Sequence, residues 1–507
     1  MYSQITTATV CGLKSVCVQV EADVCDGMPV FEMVGFLSSE VKEARERVRT
    51  ALHNCGYSLP AKRITVNLSP ADVRKSGSGF DLPIAAAILA ALGKVRQDAL
   101  KDTLVLGEIS LNGTIQPIRG VLPIVAKAKE IGIRRCILPY GNWMEAKLIP
   151  GIELWAVEDL KEIVSCLNGR PYPVKAFPEE NETFRRNAEP DFSELNGQKS
   201  VRRACEVAVS GMHNFLMIGP PGSGKTMLAK RIPGILPPMT EKERLEVSKI
   251  YSVCGMLPQS GHLIDRRPFR MPHHTISPNG LSGGGIVPKP GEISLAHKGV
   301  LFLDELPEYK KSTLEILRQP MEEKEITLVR QSGTYRYPAD FMLVAAMNPC
   351  KCGYYPDRSR CRCREAEIAG YLGKISKPLL DRMDICVEAP VIRYEELTGI
   401  QENESSAEIR NRVMQALERQ RFRFREAEIS YNSQISSKDM EQYCKLSCSQ
   451  QIYMKEIYQK LELSARGYYK ILKTARTIAD LDECADIRDC HLNEAVCYRI
   501  QDKKYWE

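Results

Sequence analysis

The sequence has no hydrophobic run long enough to cross a bilayer. The longest, residues 82–92, is about half of the roughly 20 residues a spanning helix needs. Residues 1–20 hold no basic segment followed by a long apolar one, so no secretion signal is expected and the cytosol is the expected compartment. Strong charge bias is also missing. A net charge of +6 on 507 residues is too small to argue for a nucleic-acid partner, so any basic surface must be local. Most of the 18 cysteines stand singly among apolar residues, as in Val10-Cys11 and Ile385-Cys386. In a reducing compartment such cysteines act as small buried side chains. A hydrophobic fraction of 43% and a charged fraction of 26% are ordinary for a globular chain, and the length allows two to four domains.

What is present is a phosphate loop. Gly219-Pro220-Pro221-Gly222-Ser223-Gly224-Lys225-Thr226 follows an apolar run, residues 214–218, and opens a helical pattern. Strand, glycine loop and helix in that order let backbone N–H groups and a helix N-terminus face phosphate oxygens. Lys225 is expected to reach the β- and γ-phosphates of ATP, and Thr226 to offer its hydroxyl to Mg²⁺. Residues 300–303 form a second apolar run ending in Asp304-Glu305, which reads as a buried parallel strand with carboxylates at its C-terminal edge. Asp304 is expected to hold Mg²⁺ and Glu305 to activate the attacking water. A third run, 341–347, ends in Asn348, whose amide can bond the water or the γ-phosphate.

Two C-x-C pairs follow, Cys350-Lys351-Cys352 and Cys361-Arg362-Cys363. Four thiolates on one short polar loop suit a tetrahedral Zn²⁺; free reduced thiols and an iron–sulfur centre are the alternatives. Tyr354, Tyr355, Arg358, Arg360, Arg362 and Arg364 interleave aromatics with charge there. They make either a surface for phosphates and bases or a solvated loop. His273-His274 could suggest a metal, but no third ligand stands at useful spacing.

The first block, residues 1–168, reads as α/β: strands at 16–20, 31–35 and 63–68, helices at 39–53 and 84–92, and a hairpin turning at Asn112-Gly113. A proline- and charge-rich stretch, 169–190, reads as a linker. Residues 191–394 hold the nucleotide motifs. From 395 to 507 the pattern is helical. It includes a charged helix at 408–425 whose basic end is either a solvated face or a DNA contact. An amphipathic helix at 468–481 follows.

Several stretches carry resemblances. Residues 76–85, 107–113 and 117–121 resemble the proteolytic domain of Lon. Pro83 and Leu122 fall where that family has its serine and lysine, so the block is expected to be a scaffold without peptidase activity, since neither side chain can serve as nucleophile or base. The whole chain resembles the YifB/ComM family of magnesium-chelatase-like AAA+ ATPases. The order GPPGSGKT, PFRMPHHT, LFLDEL, AAMNPCKCG, LLDRMD and LSARGYYKILKTARTIADL carries the match; Lys351 replaces an expected proline. The resemblance implies an AAA+ P-loop core between a Lon-like α/β domain and an all-helical C-terminal lid. It gives Asn348 the sensor-1 role, Arg382 that of an arginine finger acting on the neighbouring subunit, and Arg466 that of sensor 2, carried by the lid onto the nucleotide. A surface ion pair is the alternative for either arginine. It places 267–285 in the helix-2 insert and 325–337 in a hairpin turned to a central pore. The activity implied is Mg²⁺-dependent ATP hydrolysis by a ring, a hexamer, moving on single-stranded or branched DNA, with branch migration in natural transformation as the role. The rivals are a chelatase motor, for which no D-x-S-x-S partner motif occurs, a protein-remodelling machine, and a nucleotide switch with little turnover.

Overall fold

The structure is a computed structural model that describes residues 1–173, 175, 190–258, 261–285, 287–330, 333–392, 394 and 403–506. No helix among them is long and apolar enough to cross a membrane.

The first module is built on a seven-stranded mixed sheet. Its strand order is Val30–Val34, Arg63–Ser69, Lys14–Cys25, Tyr2–Cys11, Thr103–Val105, Arg135–Pro139, Glu153–Val157. Tyr2–Cys11 and Lys14–Cys25 pair antiparallel. The alternation along the second strand puts Val18, Val20, Ala22 and Val24 into the core, as a period of two requires. Helix Asp81–Ala91 is apolar on all sides and almost wholly buried, as a helix without a polar face must be. Pro83 lies inside it, and Leu122 is buried in helix Val121–Glu130. The strands Tyr2–Cys11, Arg135–Pro139 and Glu153–Val157 have no counterpart in the sequence reading.

The stretch expected to be a linker is partly docked on this module. Tyr172 stacks on Trp155 with ring centroids 5.5 Å apart and donates to the Ala156 carbonyl at 2.9 Å. Residues 174 and 176–189 lie outside the described residues.

The second module is a five-stranded parallel sheet in the order Phe269–Arg270, Val300–Leu303, Met342–Met347, Phe215–Ile218, Ile385–Glu388. The three central strands are buried along their whole length, which explains their continuous apolar runs. Phe269–Arg270 is a correction: residues expected in the helix-2 insert form an edge strand, because they pair with Val300 and Leu301. Beyond it, Gly283–Gly284 and Lys289–Pro290 make a small antiparallel ribbon. Glu325–Arg330 and Gly333–Pro338 form the hairpin read at 325–337; Gln331 and Ser332 lie outside the described residues.

The C-terminal region is helical: Ser406–Arg423, Cys448–Lys460, Ala465–Leu481 and Asp489–Trp506. The basic run at 419–425 divides. Arg423 donates at 2.9 Å to Asp480, which is fully buried and also meets Arg476 at 3.1 Å. Arg419 pairs with Glu483 at 3.0 Å, while Phe422 is exposed.

The first two modules touch. Gly120 N–H donates to the Ser252 carbonyl at 3.2 Å. The Ser252 hydroxyl donates to the Glu145 carboxylate, which also accepts the Leu122 N–H at 3.0 Å. Burial raises the Glu145 pKa against these hydrogen bonds.

Candidate nucleotide site and cysteine centre

The phosphate loop leaves strand Phe215–Ile218 at its C-terminal end and enters helix Lys225–Ala229. Gly219 is required by close approach, since a Cβ there would stand 2.2 Å from the Ala389 carbonyl oxygen. Lys225 Nζ donates to the carbonyls of Gly219 and Pro220, both at 2.8 Å, and to Ser223 Oγ and Asn348 Oδ1, both at 3.2 Å. Burial pushes its pKa down to about 8 against the pull of Asp304 and Glu305. The Gln198 side chain braces the loop by donating to the Ser223 carbonyl.

Asp304 follows strand Val300–Leu303, one strand removed from the phosphate-loop strand, with both oxygens engaged. Oδ2 accepts the Thr226 hydroxyl at 2.6 Å and Oδ1 the Glu305 N–H at 2.9 Å. A hydroxyl and a carboxylate that close offer hard oxygen donors of the kind Mg²⁺ takes alongside phosphate and water. Glu305 has φ 50°, a left-handed conformation unusual for a residue with a Cβ. Its side chain is 59% exposed and its Oε2 lies 3.7 Å from His274 Nδ1. His274 in turn lies against His273, with centroids 4.1 Å apart and the rings tilted by 35°, and packs edge-on with Tyr309. Two residues of this site were missed as neighbours of the chemistry, Gln198 and His274, and a third, Glu322, lies at the opposite edge of the sheet. The PHHT motif was a signal for the second, but its spacing does not reveal that it meets Glu305.

The two arginines lie elsewhere. Asn214, at the N-terminal end of the phosphate-loop strand, donates to the Arg382 carbonyl at 3.0 Å and accepts the Leu343 N–H at 2.9 Å. Its own N–H goes to Asp384 at 2.8 Å. Arg382 is thus at the edge of the sheet opposite the loop, separated by four strand residues or roughly 13 Å. Arg466 opens helix Ala465–Leu481 and lies at the same edge, since Arg382 and Arg466 both bond Glu322 Oε1, at 2.7 and 2.8 Å. The lid therefore does not carry Arg466 onto the nucleotide loop of its own chain. Strand polarity is the reason: groups at opposite ends of a parallel sheet cannot meet.

The four cysteines converge. Their sulfurs lie within 4.8 Å of one another, with Cys350–Cys352 at 3.3 Å, Cys352–Cys361 at 3.5 Å and Cys350–Cys361 at 3.7 Å; Cys363 completes the group. A tetrahedral Zn²⁺ with Zn–S near 2.3 Å sets its sulfurs roughly 3.8 Å apart, so the donor set fits. Cys350 Sγ also accepts the Tyr355 N–H at 3.4 Å. Tyr354 and Tyr355 pack against the core, with Arg360 and Arg358 over their rings at 4.1 and 5.2 Å. Those aromatics are partly covered rather than open for base stacking.

In the core sheet the Asn348 strand is inserted between the phosphate-loop strand and the carboxylate strand, the arrangement of the AAA+ class of P-loop proteins. Family comparison sharpens this. Residues 191–397 match the model for magnesium chelatase, subunit ChlI; residues 20–142 match that for subunit ChlI of Mg-chelatase; and residues 403–499 match that for its C-terminal region. Competence protein ComM of Haemophilus influenzae is 40% identical over 492 residues, 96% of this chain and 95% of that protein. YifB of Escherichia coli is 40% identical over 502 residues, 99% and 97% of the two chains. Lon protease 2 of Bacillus subtilis is 35% identical over 141 residues, 28% of this chain and 25% of that one. The chain belongs to the ComM/YifB family of magnesium-chelatase-like AAA+ proteins, with a Lon-like N-terminal module. Membership implies ATP and Mg²⁺ as its ligands.

Proposed function

We propose that this protein is a Mg²⁺-dependent ATPase that hydrolyses ATP between the subunits of a ring, a hexamer, and moves on single-stranded or branched DNA. One observation carries the intersubunit part: Arg382 and Arg466 stand together at the sheet edge opposite the phosphate loop. That placement keeps both arginines from the phosphate loop of their own chain and supports a reading in which a neighbour's arginines face its nucleotide.

In this reading Lys225 exchanges the loop carbonyls for β- and γ-phosphate oxygens. Thr226 and Asp304 hold Mg²⁺, which supplies positive charge against the phosphates. Glu305 accepts the proton of the attacking water, with His274 beside it, and Asn348 orients that water or the γ-phosphate. The neighbour's guanidiniums take up the charge that builds on the transferring group. The cysteine centre binds one structural Zn²⁺ per chain, and the Lon-like module does no peptide chemistry, Pro83 and Leu122 being unable to supply it.

DNA as substrate rests on the family, whose Haemophilus member carries the name competence protein. Branch migration in natural transformation, in the cytosol, is the role we assign. The hairpin Glu325–Arg330/Gly333–Pro338 suits a pore contact, with Val329 and Arg336 exposed on it. The test is the ATPase rate with single-stranded, duplex and four-way-junction DNA at one stated salt concentration, because phosphate contacts weaken steeply with salt. Stimulation by DNA that disappears in Arg382→Ala supports the proposal. Basal turnover indifferent to every DNA, but raised by unfolded protein, moves the assignment to protein remodelling.

A further inference from the structure

The N-terminal edge of the core sheet holds a cavity of about 540 Å³ whose lining includes Glu322, Arg382, Arg466, Lys470 and Lys473. Three of its five cations are satisfied locally: Lys324 pairs with Asp340 at 3.4 Å, Lys470 with Asp384 at 3.0 Å, and Lys473 donates to the Ser433 carbonyl at 3.0 Å. The other two converge on a single atom. Arg382 donates to Glu322 Oε1 at 2.7 Å, and the Arg466 guanidinium forms an ion pair with the same oxygen at 2.8 Å.

The partners of that oxygen are unequal. The Arg382 side chain is 10% exposed and has a second anchor, donating to the Pro378 carbonyl at 2.6 Å. The Arg466 side chain is 57% exposed and begins a lid helix. Two guanidiniums this close repel each other unless a negative charge lies between them. Without Glu322, Arg382 would keep its carbonyl anchor, whereas Arg466 would be free to turn into solvent.

We propose that Glu322 is a positioning residue that gathers Arg466 of the lid to Arg382 of the core, so that the two are presented as one phosphate clamp. The role rests on the intersubunit reading above. A carboxylate oxygen and a γ-phosphate oxygen make the same charge-assisted bonds to guanidinium. On docking, the pair exchanges Glu322 for the neighbour's phosphates with its geometry already set. Preorganisation of this kind acts on turnover more than on nucleotide binding.

The experiment uses full-length subunits mixed in pairs. One carries Lys225→Ala and supplies only arginines; the other carries Arg382→Ala together with Arg466→Ala and supplies only a working phosphate loop. Activity regained on mixing comes from interfaces between the two. Placing Glu322→Ala in the arginine-supplying subunit is expected to lower the regained kcat by on the order of 10²-fold, as a misplacement near 1 Å can, with the KM for ATP unchanged. Glu322→Gln, which keeps an acceptor oxygen, is expected to restore part of that loss. Added to an arginine-supplying subunit that already carries Arg466→Ala, Glu322→Ala is expected to cost nothing more. Full regained activity with Glu322→Ala overturns the role, as does a loss that adds to that of Arg466→Ala. No regained activity with Glu322 intact overturns the intersubunit reading itself, and the positioning role with it.

Discussion

Gly353 of the cysteine loop rests directly on Pro221 of the phosphate loop. A Cβ on Gly353 would lie 2.2 Å from Pro221 Cδ, and its φ of 85° is one that favours glycine. The cysteine centre and the nucleotide site thus share a wall, and Asn348 lies only two residues before Cys350. Gly353→Ala must therefore displace the loop or strain the backbone, at a cost of about 1–3 kcal/mol. We expect ATP affinity to fall roughly tenfold with the fold intact, measured by titration of a fluorescent ATP analogue alongside circular dichroism.

Metal removal should act through the same wall. One Zn²⁺ per chain is expected by elemental analysis, and its loss on chelation or in Cys350→Ser and Cys361→Ser. Chelated protein should bind ATP more weakly and regain affinity when Zn²⁺ is returned. Full ATP affinity in metal-free protein would show that the wall does not depend on the metal.

Lys225 gives the ATP affinity a pH dependence. Burial holds its pKa near 8 in the free site, and phosphates placed against it raise that value. Binding then takes up a proton above pH 8, so affinity should be flat below about pH 7.5 and weaken by up to tenfold per pH unit above 8. Calorimetry in two buffers of different ionisation enthalpy reads the proton directly. Lys225→Ala should abolish both turnover and this pH dependence.

Glu305→Gln keeps the size and shape of the water-facing side chain and removes its basicity. Turnover should drop by about 10²–10⁴-fold with ATP still bound. His274→Ala, which removes the ring 3.7 Å from Glu305, should lower kcat by a smaller factor and leave ATP affinity unchanged. Single-turnover kinetics separates the two effects.

Asp384 supports the arginine edge from beneath. Burial opposes its charge, but Lys470 and His213 with the Asn214 N–H outweigh it and hold the pKa near 2. Its contribution to stability is therefore fully present above about pH 4 and lost as pH falls toward 2. Asp384→Ala strands Lys470, itself pushed down to about 8 by burial. A loss of about 3–5 kcal/mol is expected, seen as a lower urea midpoint.

The parts of the site that could be read along the chain are those whose chemistry is local. The phosphate loop needs eight consecutive residues between a strand and a helix. The carboxylates of Asp304 and Glu305 need only the end of an apolar run. The two C-x-C pairs announce four ligands on one loop. Short polar partners were harder to see, because Gln198 and His274 acquire their roles from contacts across the fold and not from spacing. The first module was legible in two of its helices, Ser39–Asn54 and Asp81–Ala91, but not in Val121–Glu130 or Leu160–Leu167. Its opening strand, Tyr2–Cys11, was not, since its inward and outward residues differ little in polarity.

The sequence by itself determined that a phosphate loop is present, that a carboxylate pair ends an apolar strand, and that four thiols stand on one short loop. Those facts depend on neighbours along the chain. Tertiary structure alone decided which groups can act together within one subunit. Parallel strands put the phosphate loop at one edge of the sheet and Arg382 at the other. The lid then brings Arg466 to Arg382 over Glu322, not to Lys225. Strand direction, which no motif records, is the physical reason that the two arginines and the phosphate loop lie at opposite edges of one sheet.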